Sequence, residues 1–293
     1  MTSISERGKT VSEFIDALMN HAFLQYAMLT GVLASIACGI VGTYVVTRRI
    51  TYIGGGIAHS ILGGMGVAYF LSATYKWNNL HPLYGALVAA ILAAVVIGLI
   101  SLRTREREDT VISSLWAVGM AVGILFISRT PGYNQDLMSY LFGNILMVTS
   151  SDLWLIIGLD ILVAIIGVLF YNQLTAVCFD EEFARVRGLN VSFYYLLLLC
   201  LTALTVVILV TVVGVVMVIA LLTLPVAVAG HFTRTMWGTM ILATILSMIF
   251  VVIGLAVSYG PNLPAGATII LIAGLVYLIV AVGAGIFRYG REF

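Results

Sequence analysis

Residues 48–70 read RRITYIGGGIAHSILGGMGVAYF. Behind the two arginines comes an uncharged run of about the 20 residues needed to span a bilayer as a helix. Gly54, Gly55, Gly56, Gly63, Gly64 and Gly66 lie in and around this run, with His59 near its middle. Glycines let helix backbones approach closely, or let a helix open where it lines a cavity, and Gly54, Gly56, Gly63 and Gly64 are read as points of flexibility in the span. A histidine at that depth is costly unless it faces a partner or a polar cavity, and imidazole is the commonest side-chain ligand of transition metals. Two readings of His59 follow: a metal contact in a translocation path, or a packed ring bonded to a neighbouring helix.

The rest of the chain has the same character. It has 293 residues, 61% of them hydrophobic and only 9% charged, with a mean hydropathy of +1.12. Soluble domains are near half apolar and a quarter charged, so a soluble enzyme is excluded, and so is a disordered chain. The class is an all-α, polytopic transmembrane helical bundle. Nine apolar segments are expected to span: Ala22–Thr47, Tyr52–Leu71, Leu83–Leu102, Thr110–Ile127, Leu153–Leu174, Phe193–Leu209, Val213–Ala229, Gly238–Val257 and Ala267–Phe287. The run from Phe193 to Ala229 reads as two helices with a turn near Val210–Gly214, or else as one very long tilted helix, so eight or nine spans are expected. Asp136–Val148 reads as a short helix on one membrane face. Val11–His21 carries Phe14, Ile15, Leu18 and Met19 at helical spacing against Glu13, Asp16 and Asn20, the pattern of an amphipathic helix lying on the membrane surface among lipid headgroups. Residues 1–21 are then a polar N-terminus with a surface helix, and residues 22–293 a single transmembrane domain. No cleavable signal peptide is visible in the polar N-terminus.

Fourteen Lys and Arg stand against 13 Asp and Glu, a balance that offers no basic face to nucleic acid. With the N-terminus outside and nine spans, ten of the basic residues fall in cytoplasmic turns and four outside, as the positive-inside rule requires. Cys38, Cys178 and Cys200 are scattered, with no disulfide or zinc-finger spacing. The chain has no phosphate-binding GxxxxGK[ST] loop and none of the common hydrolase signatures, so it is not expected to be an enzyme.

Outside the His59 span, three features could carry function. Asp160 lies within Leu153–Leu174, and an intramembrane carboxylate is either functional or a polar contact between helices. Asp180, Glu181 and Glu182 open a short helix closed by Arg185, Arg187 and Gly188, acids and bases each at the favourable end of the helix dipole and Gly188 placed as a cap. That segment is a solvated surface helix or a docking element for a cytoplasmic partner. The turn with Gly230, His231, Thr233 and Arg234 is a second polar segment on the same side.

These segments resemble, in order, the membrane subunits of ABC importers for zinc, manganese and iron. RRITYIGGGIAHSILGG resembles that family's second-span signature, an Arg-rich turn before Gly-Asp-x-x-x-His and Pro-Gly. Gly54, His59 and Gly64 match, Gly55 stands where the family has Asp, and Gly63 where it has Pro. YLFGNIL at 140–146, FDEEFARVRGLNV at 179–191 and VVGVVMVIALLTLPVAVAGHFTR at 212–234 are similar to three further family segments. The resemblance implies a homodimer in a prokaryotic cytoplasmic (inner) membrane. Two cytoplasmic ATPase subunits that bind the ATP and an extracytoplasmic metal-binding protein would complete it. A divalent metal ion would be the cargo and no cofactor permanently bound. It implies that His59, beside Gly55, lines the metal path. By analogy with the more distant vitamin B12 and siderophore permeases, Gly230–Met240 would be the main coupling helix and Asp180–Gly188 a second ATPase contact. A permease for metal chelates is one alternative. A proton-coupled secondary transporter is another, though it would need intramembrane carboxylates in numbers, and Asp160 stands alone.

Overall fold

The structure is a computed structural model that describes residues 14–76, 82–104, 106–130, 150–261 and 263–289. Among the described residues it is helical with no strand. In chain order the helices are α1 (14–20), α2 (Ala22–Thr47), α3 (Tyr52–Tyr75), α4 (Pro82–Arg103), α5 (Glu108–Ser128), α6 (Ser150–Leu169), α7 (Tyr171–Phe179), α8 (Glu181–Val186), α9 (Val191–Val213), α10 (Val215–Phe232), α11 (Met236–Tyr259) and α12 (Ala265–Tyr289). Seven of these are long and apolar enough to cross a membrane, or eight if α6 and α7 form one span, and Val191–Val207 in α9 is a shorter apolar stretch. The expected short helix at Asp136–Val148 and the YLFGNIL segment lie outside the described residues.

α2 is the central post. It packs on α11, α6, α10 and α9, while α3 packs between α5 and α4. Lipid is as apolar as leucine, so spans associate through close packing rather than through hydrophobic exclusion from water. The α3–α5 contact shows the requirement most plainly, because the backbones touch. A Cβ on Gly63 would stand 2.8 Å from the carbonyl oxygen of Gly119, and one on Gly119 only 2.6 Å from Cα of Ser60. The same need explains Gly56, where a Cβ would meet Ile112 Cγ2 at 2.6 Å, and Gly64, which abuts Gly85 of α4. α3 is unbroken from Tyr52 to Tyr75, and Gly56, Gly63 and Gly64 each lie hard against a neighbouring helix.

Two breaks differ in kind. The long run after Phe193 divides at Gly214, whose φ of 86° and ψ of 156° fall in a region essentially reserved for glycine. α9 leaves the end of the bundle marked by Tyr195, and α10 returns to it, where Val226 packs with Val46. The expected single span Leu153–Leu174 is not straight. It ends at Leu169, and past Phe170 the chain turns by 72° into α7. Tyr44 donates to the carbonyl of Gly167 at 2.9 Å, and Cys178 lies against the carbonyl of Tyr44, so both sides of the bend are fastened to α2.

The turns at 48–51, 104–108 and 180–190 gather at one end of the bundle, which the positive-inside rule makes the cytoplasmic end. α1 lies at the other end, beside the end of α11. Phe14 meets Tyr259 edge-on at 5.8 Å, and Phe14 and Ala17 are buried while Ile15 and Met19 are exposed. The apolar stripe expected on one side of α1 is therefore divided between the bundle and the surroundings.

Candidate functional site

His59 sits on the inner face of α3, 8% exposed. Its ring lies flat on the indole of Trp116 from α5, with centroids 4.5 Å apart and planes 9° from parallel. The Nδ1 atom is buried with no hydrogen-bond partner. Trp116 is itself held, its indole N–H pointing at the sulfur of Met120 one turn on, at 3.3 Å. Gly55 is one helical turn before His59. A Cβ there would lie 3.6 Å from both the Trp116 ring and Ile219 of α10, an ordinary contact distance. Gly55 and Trp116 both line a cavity of about 480 Å³ with Thr51, Tyr52, Thr223 and Tyr277, so α3, α5, α10 and α12 all contribute to its wall.

Asp160 is not part of this arrangement. It is buried on α6, against the backbone of Ala37 and the side chain of Cys38 in α2. Among the described residues, no three His, Cys, Asp or Glu side chains come together as a metal cluster. Around His59 the described residues thus set one imidazole against an aromatic ring.

At the cytoplasmic end, Asp180 caps α8, accepting from the N–H of Phe183 at 2.9 Å. Gly188, with φ of 80°, closes the helix in the left-handed conformation common at helix C-termini. Glu182, Phe183, Arg185, Val186 and Arg187 all face outward, while Ala184 is buried beneath. Phe179, Phe183 and Val186 are 70%, 50% and 87% exposed, an apolar patch ringed by charge. The Gly230–Met240 segment is different. α10 runs through Gly230 and His231 to Phe232, and α11 starts at Met236, so only a three-residue turn separates two spans. Thr233 ties that turn together by bonding the carbonyl of Ala229 and the hydroxyl of Thr239, and Arg234 is exposed. Gly230–Met240 is thus two helix ends joined by that turn, while α8 is a separate short helix on the same surface.

One residue joins these parts. Arg48, at the end of α2, pairs with Glu181 of α8 and donates to the carbonyl of Val177 in α7 at 3.1 Å. It approaches Glu108 of α5 at 4.0 Å and lies over the Tyr195 ring of α9 at 4.9 Å. Tyr195 in turn donates to Glu108 at 3.0 Å. The sequence marks Arg48 as a topological charge and as part of the Arg-rich turn, but its partners, 60 to 147 residues away, leave no local signal. Trp116 escapes sequence reading because a tryptophan near a span end reads as an interfacial anchor.

Residues 20–284 match the model of the ABC 3 transport family. The chain is 43% identical to a probable metal transport system membrane protein of Chlamydia pneumoniae, over 83% of each chain. It is 35% identical to the manganese transport system membrane protein MntC of Listeria monocytogenes, over 91% of this chain and 92% of that one. Its fold superposes on PsaBC from Streptococcus pneumoniae, solved in complex with Fab, with a TM-score of 0.80 and 31% identity, covering 92% of this chain and 95% of the other. The chain belongs to the ABC 3 transport family as a multi-pass membrane permease subunit, and the hydrolysis of ATP falls to a separate subunit.

Proposed function

We propose that this permease, a single domain over residues 22–293, carries a divalent transition-metal ion inward across a prokaryotic cytoplasmic membrane. It would do so by alternating access, as one of two copies around a shared path. The observation that carries the reading is His59: a buried imidazole with a free Nδ1, one turn from a Gly55 that lines a cavity between several helices. The names of the chlamydial and listerial relatives, metal and manganese transport system membrane proteins, support the cargo class. An extracytoplasmic metal-binding protein would deliver the ion, and the lone imidazole would let it pass without trapping it.

The ATPase docks on α8, with the 230–235 turn as a second contact. The apolar patch of Phe179, Phe183 and Val186 within a charged rim supports this order, because aromatic anchors inside polar rims carry interface energy. Asp180, Glu181, Glu182, Arg185 and Gly188 build and orient that helix, while Gly230, His231, Thr233 and Arg234 shape the turn. Asp160 serves packing of α6 on α2 rather than the path. α1 lies along the outer membrane surface, with Ile15 and Met19 turned to lipid headgroups.

The test is purification of the tagged permease from native membranes with crosslinking, followed by uptake in vesicles. An ATPase near one-to-one stoichiometry and loss of uptake in His59→Ala are expected. Recovery of no ATPase refutes the docking, and undiminished uptake in His59→Ala removes His59 from the path.

A further inference from the structure

Gly55 lacks the carboxylate that would make the site beside His59 a hard, negative one, and the structure sets the Trp116 ring and Ile219 against its Cβ position. The Trp116 ring stands 3.6 Å from the Cβ position of residue 55 and covers one face of the His59 imidazole in near-parallel stacking. The Met120 sulfur holds the indole N–H, so the ring is oriented as well as present. Trp116 also lines the cavity, so one side chain touches both the cavity and the His59 ring.

An ion bound through an in-plane ring nitrogen of His59 approaches parallel to the indole and withdraws electron density from the imidazole. The negative face of an aromatic ring attracts such a positively polarised partner, and tryptophan does so best. Trp116 therefore favours the metal-loaded ring without supplying an oxygen ligand. Imidazole suits zinc and iron(II), whereas manganese and magnesium are better served by carboxylate and water oxygens.

Resting on the reading of His59 as a path contact, we propose that Trp116 is a specificity-determining residue of the permease. Its indole holds and polarises His59, so that the path prefers imidazole-seeking divalent ions such as zinc over oxygen-seeking ones such as manganese.

The experiment uses the full permease with its ATPase in vesicles and measures ATP-dependent uptake of radiolabelled zinc and manganese. Trp116→Ala is expected to lower the zinc-to-manganese ratio by about threefold, the effect of losing one partly exposed cation–π contact. Trp116→Phe, which keeps a weaker stack, gives an intermediate ratio, and Gly55→Asp with Trp116→Ala moves the preference toward manganese. Zinc added to the purified protein changes its tryptophan fluorescence, and the change is lost in both Trp116→Phe and His59→Ala. Should Trp116→Ala fail to fold, Trp116→Phe and the fluorescence decide the matter. An unchanged ratio in the variants that fold overturns the proposal, as does a fluorescence response that survives in Trp116→Phe. If His59→Ala abolishes uptake while the Trp116 variants leave the ratio intact, the Trp116 assignment alone fails. If His59→Ala transports normally, the path reading falls with it.

Discussion

Replacing Arg48 by Ala removes one guanidinium from five segments at once, and the cost follows from its contacts. The Glu181 pair is partly exposed, with side-chain exposures of 15% and 33%, so it lies between a surface pair worth under about 1 kcal/mol and a buried one whose rupture costs roughly 3–5. The charged hydrogen bond to Val177 contributes about 1.5 kcal/mol, and the contact with Tyr195 about 1. Water reaches Glu181 and Glu108 once the arginine is gone and offsets part of the loss. A net destabilisation of about 2–3 kcal/mol is expected. At roughly 2–3 °C per kcal/mol for a chain of this size, the apparent Tm in detergent falls by about 4–9 °C. Arg48→Lys keeps the charge but not the planar fork and should show about half that fall. The assay is a melting series on both variants, Glu181→Ala and the double variant Arg48→Ala/Glu181→Ala. The pair shares one interaction, so the double variant should be less destabilised than the sum of the singles by about 1 kcal/mol. Strict additivity, or a Tm within 1 °C of the parent for Arg48→Ala, would refute the hub.

Other outcomes are expected elsewhere. Gly63→Leu should separate α3 from α5 and abolish recovery of monodisperse protein, whereas Gly158→Ala, where a Cβ meets nothing within 4 Å, should purify normally; size-exclusion profiles compare them. Gly214→Ala forces a side chain into the conformation at the α9–α10 turn and should cost roughly 1–3 kcal/mol, seen as a lower Tm and faster proteolysis. Asp180→Ala removes the α8 cap, costs about 1 kcal/mol locally, and should weaken capture of the ATPase without lowering the amount of folded permease. Asp160→Asn should retain metal uptake in vesicles, since the acid faces α2 and not His59; a loss comparable to that of His59→Ala would return Asp160 to the path.

Much of the architecture was legible because it is local. A span announces itself by twenty uncharged residues, and every expected span boundary except that of Leu153–Leu174 falls within about four residues of a helix end. Gly214 and Gly188 were readable for the same reason, since their φ angles of 86° and 80° answer to the residue's own sterics. The bend at Phe170 was not, because no proline or glycine marks it and its geometry is fixed by α7 resting on α2. Around Gly230–Met240 the chain forms two helix ends and a three-residue turn, because α10 and α11 run to within three residues of one another.

The candidate site divides along the same line. That His59 is an intramembrane imidazole, that α8 is a capped and charged helix, and that Gly55 carries no acid are properties of short stretches, and short-range chemistry is written in order along the chain. That Trp116 lies on His59, that Asp160 does not approach it, and that Arg48 reaches Glu181 across 133 residues depend on which helix neighbours which. Those neighbours are selected by backbone approach at a few small residues, such as Gly63 against Gly119, and a fit between two surfaces has no representation in either sequence segment alone.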